Sequence, residues 1–132
     1  MMRKIKVLLV DDERDFVETL AERLEMRGFD TLTATSADEA YVVVRSAKTP
    51  DVVVLDLKMP GMDGIDAMVA IKQHEPTMEV IILTGHGSTT DGIGGMKYGA
   101  FDYIMKPVDI DELVIKIKQA FEKRYRHRTD IL

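Results

Sequence analysis

Two apolar runs in this chain lead directly into acidic residues, and those carboxylates could do chemistry. Val7-Leu8-Leu9-Val10 precedes Asp11-Asp12-Glu13, and Val52-Val53-Val54-Leu55 precedes Asp56. Each run is long and apolar enough for a strand buried on both faces, and the Pro60-Gly61 and Asp63-Gly64 pairs end the second. If the runs are parallel neighbours, Asp11, Asp12 and Asp56 converge at the carboxyl ends of their strands, where open α/β sheets bind ligands. At about 5 Å and an effective dielectric near 20, each pair of carboxylates repels by roughly 3 kcal/mol. A cation must sit between them. Oxygen-only ligation with retained waters suits Mg²⁺, with Mn²⁺ as the alternative.

Two further runs bring other groups to such an edge. Glu79 to Leu83 leads into Thr84-Gly85-His86-Gly87, a hydroxyl followed by small residues, and Asp102 to Met105 leads into Lys106-Pro107. The elements that must position them follow from periodicity. Lys4 to Val10 reads as the first strand, and Phe16, Val17, Leu20, Ala21 and Leu24 recur at helical spacing before Gly28. Asp30 to Ala34 is a second strand. Ser36-Ala37-Asp38-Glu39 and Asp109-Ile110-Asp111-Glu112 are capping boxes that open the second and last helices. A third helix begins at Asp63 or Gly64, with Ile65, Met68 and Val69 inward and Pro76 beyond its end. A weaker fourth spans about Ser88 to Tyr98. Five β/α alternations with short connections imply an α/β fold, a parallel sheet with helices on both faces.

The totals exclude several classes. A chain of 132 residues, 45% hydrophobic, suits one domain with a real core. Cysteine is absent, which removes disulfides and thiolate metal sites. A net charge of −5 with 31% charged residues argues against general nucleic-acid binding. No apolar stretch approaches the roughly 20 residues of a membrane span, and no signal peptide is recognisable, so a cytoplasmic location is expected. Lys123, Arg124, Arg126 and Arg128 read as a basic helix end complementing the helix dipole, and His74 and His127 as solvated. Residues 1–126 read as the domain and 127–132 as a tail or the start of a linker.

From Lys4 to about Arg124 the chain resembles the receiver domain of two-component response regulators. The resemblance rests on the acidic pair Asp11-Asp12, the Asp56-x-x-x-Pro60-Gly61-x-Asp63-Gly64 loop, Thr84-Gly85, Gly99-Ala100-x-Asp102-Tyr103 and Lys106-Pro107 in that order. It implies a flavodoxin-like, doubly wound (βα)5 sheet of strand order 2-1-3-4-5. It also implies that Asp56 accepts a phosphoryl group from a phosphohistidine on a sensor histidine kinase or a histidine phosphotransfer protein. Asp12, Asp56 and the Lys58 main-chain carbonyl are then the Mg²⁺ ligands, with Asp11 acting through a bound water. Lys106, Thr84 and the Gly85 N–H contact the phosphoryl oxygens, in a family where the Lys-Pro bond is typically cis. Thr84 and Tyr103 are the switch pair. The face built by the fourth helix, fifth strand and fifth helix meets an output domain, a target protein or a second copy. Lys58 and His86 occupy positions that tune phosphoryl lifetime. The resemblance is nearest to receivers of the nitrogen-regulation type, which usually precede an ATPase and a DNA-binding domain, so the chain is either free-standing or excised from a longer one.

Three other readings compete. A phosphatase of the haloacid-dehalogenase type wants a second Asp two residues after the nucleophile, where this chain has Lys58. A flavodoxin-type cofactor binder wants phosphate donors where this chain has Asp11-Asp12-Glu13. A purely protein-binding receiver has no need of the full constellation. The chain also departs from its relatives at Gly92, Gly94 and Gly95, each worth about 1 kcal/mol against alanine inside a helix. That predicts a short, frayed or displaced fourth helix, ordered by phosphorylation or by a partner.

Overall fold

The structure, a computed structural model, describes residues 3–59, 62–85 and 89–131, and at 59, 62, 63, 89–92 and 127–131 the backbone alone. The elements run β1 (Lys6–Val10), α1 (Arg14–Met26), β2 (Asp30–Ala34), α2 (Ala37–Arg45), β3 (Val52–Asp56), β4 (Lys58–Met59), β5 (Met62–Asp63), α3 (Gly64–His74), β6 (Glu79–Thr84), α4 (Thr89–Lys97), β7 (Asp102–Met105) and α5 (Ile110–Ile131). The main sheet is wholly parallel in the order β2-β1-β3-β6-β7, which is 2-1-3-4-5 when its own strands are numbered in sequence. This is the order expected. The two-residue ribbon β4-β5 was not legible in the sequence and folds the loop after Asp56 back on itself.

Strand alternation divides the core in two. Val7, Leu9, Val52, Val54, Ile81 and Leu83 face α1 and α5, packing with Val17, Leu20, Leu24, Leu113 and Ile117. Leu8, Val10, Val53, Leu55, Val80 and Ile82 face the other way, onto Ala40, Val44, Ala67, Met68 and Ile71 of α2 and α3. Central strands β1 and β3 are buried on both faces, so their runs are continuously apolar rather than alternating. On α3 the fully buried positions are Gly64, Ala67, Met68 and Ile71; Met68 faces inward as expected, Ile65 packs half-buried against the same core, and Val69 is half-buried. Gly64 lets the helix start against the strand end, where a Cβ would come 2.5 Å from Leu57 Cα. Gly95 has the same role in α4: its missing side chain leaves the room that Ile82 Cδ1 occupies. A glycine costly to an isolated helix is here what lets the nine-residue α4 lie close to the sheet.

Both capping boxes are half formed. Ser36 Oγ accepts from Glu39 N–H at 3.1 Å, and Asp109 Oδ1 accepts from Asp111 and Glu112 N–H at 2.9 and 3.3 Å. The reciprocal carboxylates are used elsewhere: Glu39 takes the Thr35 hydroxyl, and Glu112 takes Lys116. The basic end of α5 also needs correction. Arg124 is 4% exposed and donates from Nη1 to the carbonyls of Pro50 and Asp51, both at 2.9 Å. It is a buried fastener between α5 and the sheet, not a solvated dipole partner.

Candidate functional site

Parallel topology carries the ends of β1, β3, β6 and β7 to one edge, and the sequence ends each strand in a polar group there. Asp11 follows β1 and continues its ladder, its N–H donating to Ala34 O at 3.1 Å. Asp56 closes β3. Both are buried, at 0% and 5% exposure, while Asp12 is exposed. One carboxylate oxygen from each of Asp11, Asp12 and Asp56 lies within 4.8 Å of the others. Lys106 reaches in from the end of β7, its Nζ donating to Asp11 Oδ2 at 2.8 Å and lying 3.7 Å from Asp56 Oδ2. The Lys106-Pro107 bond is cis, as the resemblance implied.

Three carboxylates against one ammonium leave two negative charges unbalanced. Burial pushes the Asp56 carboxyl above its ordinary 3.8, the Asp11 charge adds to that, and Lys106 and the Lys58 N–H offset it only in part. The Lys58 N–H to Asp56 Oδ1 distance is 3.3 Å. Lys106 moves the other way in consequence. Burial alone would lower it, but the Asp11 hydrogen bond and the charges of Asp56, Asp11 and Glu13 hold it above 10.5. An oxygen-only donor set with a surplus of two negative charges fits a hard divalent cation.

Thr84 and Tyr103 share the opposite face of the sheet. Register pairs Tyr103 with Ile82, and alternation puts Thr84 on the same side as Ile82. Thr84 is buried, and its Oγ1 has no hydrogen-bond partner among the described residues, an orphan of the kind a bound group satisfies. Tyr103 is half-buried against the α2/α3 core, and its carbonyl accepts from Lys116 Nζ at 3.1 Å. Among the described residues, no atom lies within 4 Å of where a Cβ on Gly85 would sit. The Lys58 side chain is exposed. His86 lies outside the described residues.

Sequence reading missed one neighbour. Phe16, taken only as part of an apolar stripe, lies under the Lys106 ammonium with Nζ 4.5 Å from the ring centroid. Its place in the first turn of α1, just past the acidic pair, was the available signal.

Residues 7–118 match the family described as the response regulator receiver domain. The chain belongs to that family. Among its relatives, a putative NtrX-like response regulator of Rickettsia bellii is 38% identical over 98% of this chain, and the transcriptional regulator NtrC of Salmonella typhimurium is 38% identical over 90%. The receiver spans 27% and 25% of those proteins. Among solved structures, a receiver domain from Clostridium thermocellum is 39% identical with TM-score 0.85, covering 92% of this chain and 97% of that one. The NtrX receiver of Brucella abortus is 33% identical with TM-score 0.83, covering 88% and 98%. Receivers of this family are signalling modules of two-component systems. Among the described residues, no helix is long and apolar enough to cross a membrane.

Proposed function

We propose that this receiver takes a phosphoryl group onto Asp56 from a phosphohistidine of a sensor histidine kinase or histidine phosphotransfer protein in the cytoplasm. The surplus negative charge around Asp56, with the Lys106 ammonium already inside it, is the observation that carries this reading. A carboxylate nucleophile needs no general base. Asp56 Oδ attacks phosphorus in line, the P–O bond forms as the P–N bond to the donor imidazole breaks, and the imidazole takes its proton from solvent. Lys106 sits close enough to both carboxylates to turn from Asp11 toward the phosphoryl oxygens. Thr84 Oγ1 and the Gly85 N–H then complete their coordination.

Asp12 and Asp56, with the Lys58 main-chain carbonyl, would hold Mg²⁺, and Asp11 would act through a bound water. When bound, the ion supplies positive charge against the transferring oxygens. Asp11 is suited to the indirect role because its oxygens already serve Glu13 N–H at 3.0 Å and Lys106 at 2.8 Å. The exposed Asp12 is suited to the direct one.

The switch follows from the new charge. Thr84 turns toward the phosphoryl group, the space it leaves admits the Tyr103 ring, and the α4-β7-α5 face changes. Exposed apolar residues on that face, Ile93, Met96, Tyr98, Met105 and Ile115, support its use by an output domain, a target protein or a second copy of the chain. Residues 1–126 would form the receiver, with 127–132 a tail or the start of a linker. Amide exchange in α4 should slow on phosphorylation. Side chains at Lys58 and His86 would tune the phosphoryl lifetime, so Lys58→Ala should change the dephosphorylation rate.

Intact-mass measurement tests the proposal. Acetyl phosphate with Mg²⁺ should add a single acid-stable, base-labile phosphoryl group that Asp56→Asn abolishes, with no turnover of other phosphomonoesters. Unmodified wild-type protein, or steady phosphomonoester hydrolysis, would overturn it.

A further inference from the structure

Lys106 carries its charge on a flexible stem from the end of an edge strand, yet its ammonium is confined. Its side chain is 23% exposed, and its short contact is to Asp11 at 2.8 Å rather than to Asp56 at 3.7 Å. The hydrogen bond to Asp11 is directional and holds the ammonium nearer Asp11 than the acceptor. The third neighbour is the Phe16 ring, 4.5 Å from Nζ to centroid, well within the range of a cation–π contact. Phe16 is itself held, half-buried against the α1/α5 core and lining a groove of about 210 Å³ with Leu20, Pro107 and Val108.

We propose that Phe16 is a positioning residue for phosphoryl transfer, its ring face holding the Lys106 ammonium between Asp11 and Asp56. The inference rests on the phospho-acceptor reading above. Attraction to a ring face is broad rather than directional, so it supports the ammonium both on Asp11 and on the way to the phosphoryl oxygens. The ring also covers one side of Nζ against water, which strengthens the remaining electrostatic contacts. A lysine has many rotamers to lose when fixed, and a neighbour that restricts them beforehand lowers what must be ordered at the moment of transfer.

The experiment follows phosphorylation by acetyl phosphate and Mg²⁺ in Phe16→Leu, which keeps apolar volume but removes the ring, and in Phe16→Tyr, which keeps the ring. Phe16→Leu should be roughly fivefold slower and Phe16→Tyr close to wild type. Replacing Phe16 by pentafluorophenylalanine keeps the ring's shape and removes its negative face, and it should slow the reaction as the leucine does. In a Lys106→Met background Phe16→Leu should have no further effect. In the unphosphorylated protein the Lys106 ε-methylene protons should show an upfield ring-current shift that Phe16→Leu abolishes. Wild-type rates in the leucine and pentafluoro variants, or equal slowing with and without Lys106, overturn the role of Phe16 while leaving Asp56 as acceptor. Wild-type protein that takes no phosphoryl group overturns both.

Discussion

Carboxylates are buried at both ends of this sheet, and the two ends treat them in opposite ways. At the amino end, Asp51 accepts from Arg3 Nη1 and Nη2 at 2.7 and 2.8 Å, from the Lys6 N–H at 2.8 Å and from the Tyr125 hydroxyl at 2.6 Å. Burial pushes its carboxyl up, but those donors together pull it below the ordinary value. At the carboxyl end Asp56 is as deeply buried, and its carboxyl lies above the ordinary value because burial and Asp11 outweigh Lys106. A fully donated carboxylate is a fastener. An under-compensated one is a site, because its energy falls when a cation or a phosphoryl group arrives.

That contrast can be broken at several points. Arg124→Ala should have the largest effect, about 3 kcal/mol of lost stability by urea denaturation, since it leaves the Pro50 and Asp51 carbonyls buried without their donor. Asp51→Asn should cost roughly 2 kcal/mol at neutral pH. Because the folded-state value of Asp51 is depressed, its contribution is present above the ordinary 3.8 and disappears as pH falls through the folded value, so mutant and wild type should converge in acid.

Asp56→Asn should have the opposite sign, raising stability by about 1 kcal/mol at neutral pH. Its folded-state value is raised, so wild type loses stability as pH climbs from 3.8 through the folded value; the gain should be absent in acid and complete above that value. Mg²⁺ should stabilise wild type at neutral pH and leave Asp56→Asn nearly unmoved. A destabilised Asp56→Asn would undo the contrast. Tyr125→Phe should have the smallest effect, about 0.5 kcal/mol, because Asp51 Oδ1 keeps Arg3 Nη2.

How far each part was legible depends on whether its cause was local. The strands β1, β3 and β6 were readable because buried strands are continuous apolar runs, and the acidic site because the first two of those runs end in Asp11, Asp12 and Asp56. The caps were half readable: Ser36 and Asp109 bond their own helices, but Glu39 and Glu112 had closer partners in Thr35 and Lys116. The packing role of Gly95 was not legible, since a propensity scale sees an isolated helix and not Ile82 pressed against it. Arg124 looked like a surface charge because its hydrogen-bond partners are all distant along the chain, from the Met78 sulfur at a separation of 46 to the Pro50 carbonyl at 74.

The order of residues by itself determined which groups carry charge and that they stand at strand ends, because patterns of period two and 3.6 are written over a few neighbouring positions. Only the assembled sheet decided what each charge meets. It brought Lys106 into the acidic crevice across 95 residues of chain, laid Phe16 beneath it, and supplied Asp51 with donors that Asp56 lacks. Compensation of a buried charge depends on atoms a few ångströms away in space, and such proximity has no signature along the chain.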